Sequence, residues 1–330
     1  VSLLGKVGIL GTGSYIPEKI ITNKDIEKLV ETTDEWIITR TGIKERRMAR
    51  PDEYNSDMAV EAGKKALEAA GLSPQDLDLI MMATITPDMP TPATACFVQA
   101  KLGAAHAAAF DISAACSGFV YGLALAKSLV QSGQFNKILL IGGEKLTSII
   151  DWTDRGSCML FGDGAGAVIL AERAEGEGEI LSTYLVANGQ DADLLKIPAG
   201  GSRMPSSEAS VRDNLHTLKM QGREVFKIAV KVMSDAVLEA LRRAGLTLDQ
   251  VDLIIPHQAN LRIIQAIAER LQLAESKFFV NIDMVGNTSA ASVAIALDHA
   301  VRAGRIQKGN YVVLVAFGAG TTLAASVMRW

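Results

Sequence analysis

Cysteine is scarce in this chain. Its three residues, Cys96, Cys116 and Cys158, are odd in number and lack C-x-x-C spacing, which argues against a disulfide framework or a zinc site. A reducing compartment fits such usage. Long apolar runs are missing too: none approaches the roughly 18–20 residues of a membrane span. The opening Val1-Ser2-Leu3-Leu4-Gly5-Lys6 has no basic segment leading into a signal-like apolar run. The expectation is a cytoplasmic protein with no membrane partner. Neither sign of charge dominates. With 33 Lys and Arg against 37 Asp and Glu, the net charge is −4, and a general nucleic-acid-binding role has no support. The one local basic run, Arg40, Lys44, Arg46, Arg47 and Arg50, reads as a solvated face.

What is present is apolar bulk. Of 330 residues, 48% are hydrophobic and 21% charged, enough for one large or two medium globular domains with a sizeable core. Near the start, Val7 to Gly13 reads as a strand entering a glycine turn. It is no dinucleotide fingerprint, because Ser14-Tyr15-Ile16-Pro17 follows instead of a helix with a third glycine. Asn23 to Leu29 and Asp34 to Arg40 read as short helices, and Asp57 to Ala70 as a longer one stopped by Gly71.

The two halves of the chain repeat each other. Ala66 to Met81 matches Ala240 to Ile255 without a gap, about half the positions being identical at an offset of 174 residues. Each segment reads helix, turn, buried strand. Similar offsets pair Ala109–Ile112 with Phe279–Ile282, read as a strand in each half, and Ile138–Gly143 with Val312–Phe317. Three matches in the same order imply a duplicated α/β unit with helices covering both faces of its sheets. The expected halves are 1–174 and 175–330, with the crossover at Glu175-Gly176-Glu177-Gly178. The polar stretch from Asn188 to Thr217 reads as a flap or pocket wall.

Within this frame, Phe110 to Phe119 carries Cys116 at a strand-to-helix junction, ahead of a helix apolar on nearly every side. Free N–H groups and the helix dipole there favour an anion, which lowers a thiol pKa; the alternative is a small buried hydrophobe. The repeat supplies companions. His257 follows the strand Val251–Ile255, at the sheet edge where ligands bind in open α/β folds. Asn287 lies just before a helix start, topologically close to where Cys116 stands in the first half. Phe317-Gly318-Ala319-Gly320 ends a strand in a loop whose N–H groups could face an oxyanion. The remaining histidines, His106, His216 and His299, read as structural.

These residues reach a family. Thr33-Asp34-Glu35-Trp36-Ile37, Arg40-Thr41-Gly42-Ile43, Asp111 to Gly118, Asp154-Arg155-Gly156, Phe161 to Gly166, His257-Gln258-Ala259-Asn260 and Gly286-Asn287-Thr288-Ser289 stand in order along the chain. Over essentially its whole length the sequence resembles the β-ketoacyl-acyl-carrier-protein synthase III enzymes, thiolase-fold condensing enzymes that initiate fatty-acid synthesis. The resemblance implies an α/β, five-layered αβαβα fold of two duplicated halves, a homodimer, and a catalytic trio of Cys116, His257 and Asn287. It implies an oxyanion hole from the backbone N–H groups of Cys116 and Ala319. Trp36 and Arg155 would stack on the CoA adenine. Thr32, Arg40, Gly222, Phe226 and Asn260 would line the CoA channel, and Arg262 would dock the acidic carrier protein. Partners would be acyl-CoA and malonyl-acyl-carrier protein, with no metal and no separate cofactor, acyl-CoA being a substrate.

The implied chemistry suits the residue types. A Cys116 thiolate exchanges one thioester for another. Two neutral donors, His257 and Asn287, then stabilise an enolate after decarboxylation without quenching the carbanion. Two departures stand out. Thr91 occupies a position at the dimer contact where many relatives carry a large aromatic, which suggests a deeper acyl pocket. The terminal loop Gly318-Ala319-Gly320-Thr321-Thr322-Leu323 lacks the bulkier Gly-Gly-Gly-Phe-Thr-Trp form. A thiolase-fold relative making quinolone- or polyketide-type products is the neighbouring alternative. A Cys-His-Asn hydrolase lacks a reason for the duplication and a papain-like signature. A decayed partner subunit would tolerate loss of the trio, and all three are present.

Overall fold

The computed structural model describes residues 5–173 and 178–330. The first half holds strands β1 (Val7–Tyr15), β2 (Lys19–Thr22), β3 (Glu45–Met48), β4 (Leu79–Ala83), β5 (Ala108–Ile112), β6 (Lys137–Glu144) and β7 (Gly164–Glu172). Its helices are α1 (Asn23–Ile26), α2 (Asp34–Thr41), α3 (Asn55–Ala70), α4 (Thr94–Leu102) and α5 (Gly118–Gln131). The second half holds β8 (Glu179–Val186), β9 (Leu195–Lys196), β10 (Lys219–Met220), β11 (Leu253–Pro256), β12 (Tyr311–Gly318) and β13 (Thr322–Arg329). Its helices are α6 (Glu208–Arg212), α7 (Gly222–Ala244), α8 (Leu261–Leu271), α9 (Ile282–Val285) and α10 (Ala291–Arg302).

Nine strands share one hydrogen-bonded sheet in the order β11-β12-β13-β8-β1-β7-β6-β4-β5. The duplication is legible in that order. Reading inward from each end, β4-β6-β7-β1 and β11-β12-β13-β8 have the same connectivity and the same mixture of parallel and antiparallel neighbours. The two units meet where β1 touches β8, at Gly8 opposite Glu179. The matched helices α3 and α7 both end at a left-handed glycine, Gly71 and Gly245, and lead into short 3-10 turns. The boundary expected at 174/175 lies outside the described residues, as does the crossover expected at Glu175-Gly176-Glu177-Gly178 save Gly178, whose carbonyl accepts from Ile9 N.

Strand residues alternate between two buried faces, as period-2 geometry requires when helices cover both. Ile80 and Met82 of β4 pack with α3 and α4, whereas Leu79 and Met81 face α5 and α10. In the second unit, Ile254, Val313 and Val315 pack with α7 and α8, and Leu253, Val312 and Leu314 face the same central pair, α5 and α10. Five layers result: helices, sheet, helices, sheet, helices. This is the thiolase-like α/β arrangement.

One expected strand is absent. Phe279–Ile282 forms no strand; a single bridge joins Phe278 to Ile254, and Ile282 opens α9. The Gln258 amide takes over the missing ladder, donating to the Pro256 and Phe279 carbonyls and accepting from Asn281 N. A second correction concerns the basic run. Arg46 is fully buried, its guanidinium donating to Ile21 O, Asn23 Oδ1 and Met159 O at 3.1, 2.9 and 2.6 Å. It fastens the lobe of residues 19–48 to the loop after β6, and a row of charges in sequence says nothing of such acceptors.

Candidate active site

β5 delivers the chain to Ala115, which takes a left-handed φ of 47°, and Cys116 follows at the turn into α5. The thiol is buried, and burial pushes its pKa up to about 11, with a nearby Glu144 carboxylate acting in the same direction and the Ser289 hydroxyl against it. The direction is opposite to the depressed pKa expected at a helix start, removal from water being its largest cause. The second unit holds the same elbow. Ser289 also has φ 47°, and Ala115 and Ser289 are 174 residues apart, the offset of the repeat. Cys116 thus corresponds to Ala290, and Asn287 stands three residues earlier, its chain lengthened by α9.

His257 follows β11, its backbone N–H donating to Val315 O at 2.8 Å. Its ring is buried, Nδ1 has no partner among the described residues, and burial alone lowers its pKa to about 4. It is neutral at pH 7. Asn287 is pinned by backbone bonds with Leu160 and Gly162, and its Oδ1 accepts from Ser289 N at 2.9 Å. That bond orients the amide and leaves Nδ2 as the donor available to the site. Gly286, at φ 66° and ψ −161°, takes a conformation open only to glycine and turns the chain from α9 to Asn287.

The loop after β12 closes the site from behind. Ser117 Oγ donates to Thr322 Oγ1 at 2.8 Å, and Thr322 Oγ1 to Ala114 O at 3.0 Å, so the two turns are tied together. Cys116, His257, Asn287 and Phe317 line one cavity of about 700 Å³. Its outer part is lined by Trp36 and Arg40 of α2, Arg155, Gly222 and Phe226 of α7, Asn260, and Arg262 of α8. The Arg155 guanidinium lies 4.4 Å from the Trp36 ring centroid, so a flat ring entering between them must displace it. Arg262 covers Phe226 at 5.7 Å. Asn260 caps α8 through Oδ1 and donates from Nδ2 to Arg40 O, which ties α2 to α8. From the polar 188–217 stretch, Leu195 reaches the cavity wall, as a pocket wall should.

Three predicted residues stand outside this lining. Thr32 is half-buried with an unpartnered Oγ1, Thr91 is exposed in the loop before α4, and Ala319 opens a 3-10 turn behind the cavity. Among the described residues no group of three or more His, Cys, Asp or Glu side chains could hold a metal ion. No helix there is long and apolar enough to cross a membrane.

Comparison with known proteins decides the family. Residues 110–189 match the model of 3-oxoacyl-[acyl-carrier-protein] synthase III, and residues 241–330 match the model of its C-terminal part. The chain is 59% identical over 323 residues to the β-ketoacyl-[acyl-carrier-protein] synthase III of Caldanaerobacter subterraneus subsp. tengcongensis, covering 98% of this chain and 97% of that one. Identity to the Clostridioides difficile synthase III is 52%, over 98% of both chains. The crystal structure of the Aquifex aeolicus VF5 synthase III superposes with a TM-score of 0.91 at 48% identity, covering 98% of this chain and all of that one. The chain belongs to the synthase III family. It is an acyltransferase of the condensing type.

Two residues of this synthase III site were not foreseen in the sequence. Glu144 ends β6 fully buried, and Ser289 is buried with its hydroxyl unpartnered, at the repeat position of Ala115. Ser289 sits inside a quoted motif and shares its unusual φ with Ala115, but only the folded backbone reveals that. Glu144 falls at the repeat position of Gly318, on the strand end that faces the site in both units.

Proposed function

We propose that the chain performs the initiating condensation of fatty-acid synthesis through an acyl-Cys116 intermediate. The Cys116 sulfur attacks an acyl-CoA primer, giving acyl-enzyme and free CoA. Malonyl-acyl-carrier protein then loses CO₂, and its enolate oxygen is held by His257 and the Asn287 Nδ2–H₂. Its carbon attacks the acyl-Cys116 carbonyl, giving 3-oxoacyl-acyl-carrier protein. One observation carries this reading: Cys116, His257 and Asn287 come from three separate elements to one cavity, and the histidine is neutral. A neutral pair donates hydrogen bonds without delivering a proton to the carbanion. Among the described residues no carboxylate bonds to His257, unlike a hydrolytic triad.

The backbone N–H groups of Cys116 and Ala319 are assigned to the oxyanion of the second attack. Trp36, Arg40, Arg155, Gly222, Phe226, Asn260 and Thr32 are assigned to CoA, and Arg262 to carrier-protein docking; Arg223 and Lys227 add positive charge to the same rim. The reaction calls for no cofactor, and the cytoplasm is the compartment where its substrates meet. A homodimer through the outer edge of β5, the last strand of the sheet, fits the position of Thr91. Asp111 of β5 caps α4 by accepting from Thr94 N and Ala95 N, which sets the Thr91 loop against that edge.

The test is intact mass after mixing with acetyl-, butyryl-, isobutyryl- and octanoyl-CoA, followed by malonyl-acyl-carrier protein. An adduct on Cys116 that only the malonyl carrier discharges is expected, with primers beyond acetyl accepted because Thr91 is small. No adduct from any acyl-CoA refutes the mechanism. Strong preference for acetyl-CoA refutes the Thr91 assignment alone.

A further inference from the structure

The two units pair the backbone after their matched strands β4 and β11 differently, and the difference falls beside His257. At the repeat offset of 174 residues, Ala83 corresponds to His257, Thr84 to Gln258 and Gly118 to Ser292. In the first unit β4 runs beside β5, and Thr84 N donates to Ile112 O at 3.2 Å. Beside β11 that neighbour is missing: Phe279–Ile282 forms no strand, and the chain makes α9 and the Asn287 turn instead. Gln258 is fully buried, and its N–H has to find another acceptor. It donates to Ser292 Oγ at 2.8 Å. The first unit has no such hydroxyl, since Gly118 stands there, and a Cβ on it would lie 3.1 Å from the Ala83 Cβ. Ser292 is buried in the first turn of α10, directly after the Asn287 turn. A continuous run of bonds therefore joins the two sides of the site. Asn287 Oδ1 accepts from Ser289 N at 2.9 Å, Ser289 O from Ser292 N at 3.1 Å, and Ser292 Oγ from the residue next to His257.

We propose that Ser292 is a positioning residue that sets the spacing of His257 and Asn287, the two donors to the enolate oxygen. The His257 backbone is held on both sides, its own N–H on Val315 O of β12 and the following N–H on Ser292 Oγ. Because Nδ1 has no partner among the described residues, the ring takes its place from that backbone and from packing. Removing the hydroxyl leaves Gln258 N unpaired and frees the turn at 256–258 to shift against α10 and Asn287. Cys116 comes from β5 and α5 and keeps its own anchors, including the bonds of Ser117 and Thr322. A shift of about 1 Å at a reacting centre costs on the order of a hundredfold in rate. The loss falls on the step that uses both donors, condensation with the malonyl carrier, and spares acylation of Cys116.

The inference rests on the proposed roles of His257 and Asn287. Its test follows two half-reactions by intact mass in wild type, Ser292→Ala and Ser292→Cys: the single-turnover rate of Cys116 acylation, and discharge of the adduct by malonyl-acyl-carrier protein. Cysteine keeps the size of serine with a weaker acceptor, so Ser292→Cys keeps the test open where the alanine variant fails to fold. Ser292→Ala is expected to acylate at the wild-type rate and to discharge about tenfold or more slowly, with Ser292→Cys in between. Discharge at the wild-type rate overturns the inference, and so does equal slowing of both half-reactions, which a merely structural role would give. Should wild-type Cys116 take no acyl group, or His257→Ala discharge normally, the proposed function fails instead. The positioning is then decided by NMR of the histidine rings at pH 7. The His257 signal, identified by its loss in His257→Ala, should shift in Ser292→Ala, and an unshifted signal overturns the inference.

Discussion

His257 gains nothing from its surroundings except dryness, and that has a thermodynamic signature. Its pKa falls from the ordinary 6.5 to about 4, so the folded state disfavours the imidazolium. The corresponding stability is present above pH 6.5 and is lost as pH falls toward 4, by about 3 kcal/mol. Glu144 acts oppositely, since its raised value favours the acid form: its contribution is full below pH 4.5 and lost as pH rises through about 7. The two slopes oppose in the wild type. The expected outcome is therefore a difference: in urea titrations, His257→Asn should lose less stability than wild type between pH 6.5 and 4.5. Equal losses would mean that the ring is hydrated. In kinetics, His257→Ala and Asn287→Ala should still acquire the acyl group on Cys116 while condensation drops about a hundredfold or more, measured by discharge with malonyl-acyl-carrier protein. Single residues were the least legible scale. Cys116, His257 and Asn287 announce themselves by type and by motif, whereas the burial of Arg46 is made by segments more than a hundred residues apart.

At the scale of elements, patterning served well where both periodicity and stops were present. α3 runs to Ala70 and is capped by Gly71, and β4 and β11 fill the apolar runs foreseen for them. Patterning failed at Phe279–Ile282, where four apolar or polar-edge residues look like a strand but a side-chain amide supplies the hydrogen bonds. The tie between two turns gives a sharper test. A Cβ on Gly318 would stand 2.7 Å from Cys116 N and 2.9 Å from Thr322 Oγ1. Neither can retreat, because Thr322 is bonded to Ser117 and Ala114. Gly318→Ala should therefore displace the Cys116 elbow: about 1–3 kcal/mol of stability in denaturant titrations, and a much larger proportional loss of Cys116 acylation. Acylation falling only in step with stability would show that the elbow tolerates the shift.

The duplication read from sequence implies two units, yet the molecule interleaves them. α5 from the first half and α10 from the second share the central layer, and each packs on strands of both units. A buried polar link crosses the same boundary. Asp298 of α10 is fully buried and accepts from Thr12 Oγ1 and Ser14 Oγ of β1 at 2.7 and 2.6 Å, and from Arg302 Nε at 2.9 Å. Burial alone would raise its pKa, but the bonds from Arg302, Ser14 and Thr12 hold it low, so it stays an anion in the core. Neither unit alone can cover the central face, and the expected unfolding is one cooperative transition. Asp298→Asn exchanges an acceptor for a donor facing two hydroxyls and a guanidinium, at a cost of about 2–3 kcal/mol. In calorimetry it should move the whole transition to lower temperature without splitting it. A variant that unfolds in two steps, with the first-half step at its wild-type temperature, would show that the repeats are stable separately. The common layer would then be a docking face between independent domains, and Cys116 would sit on one domain with His257 and Asn287 on the other.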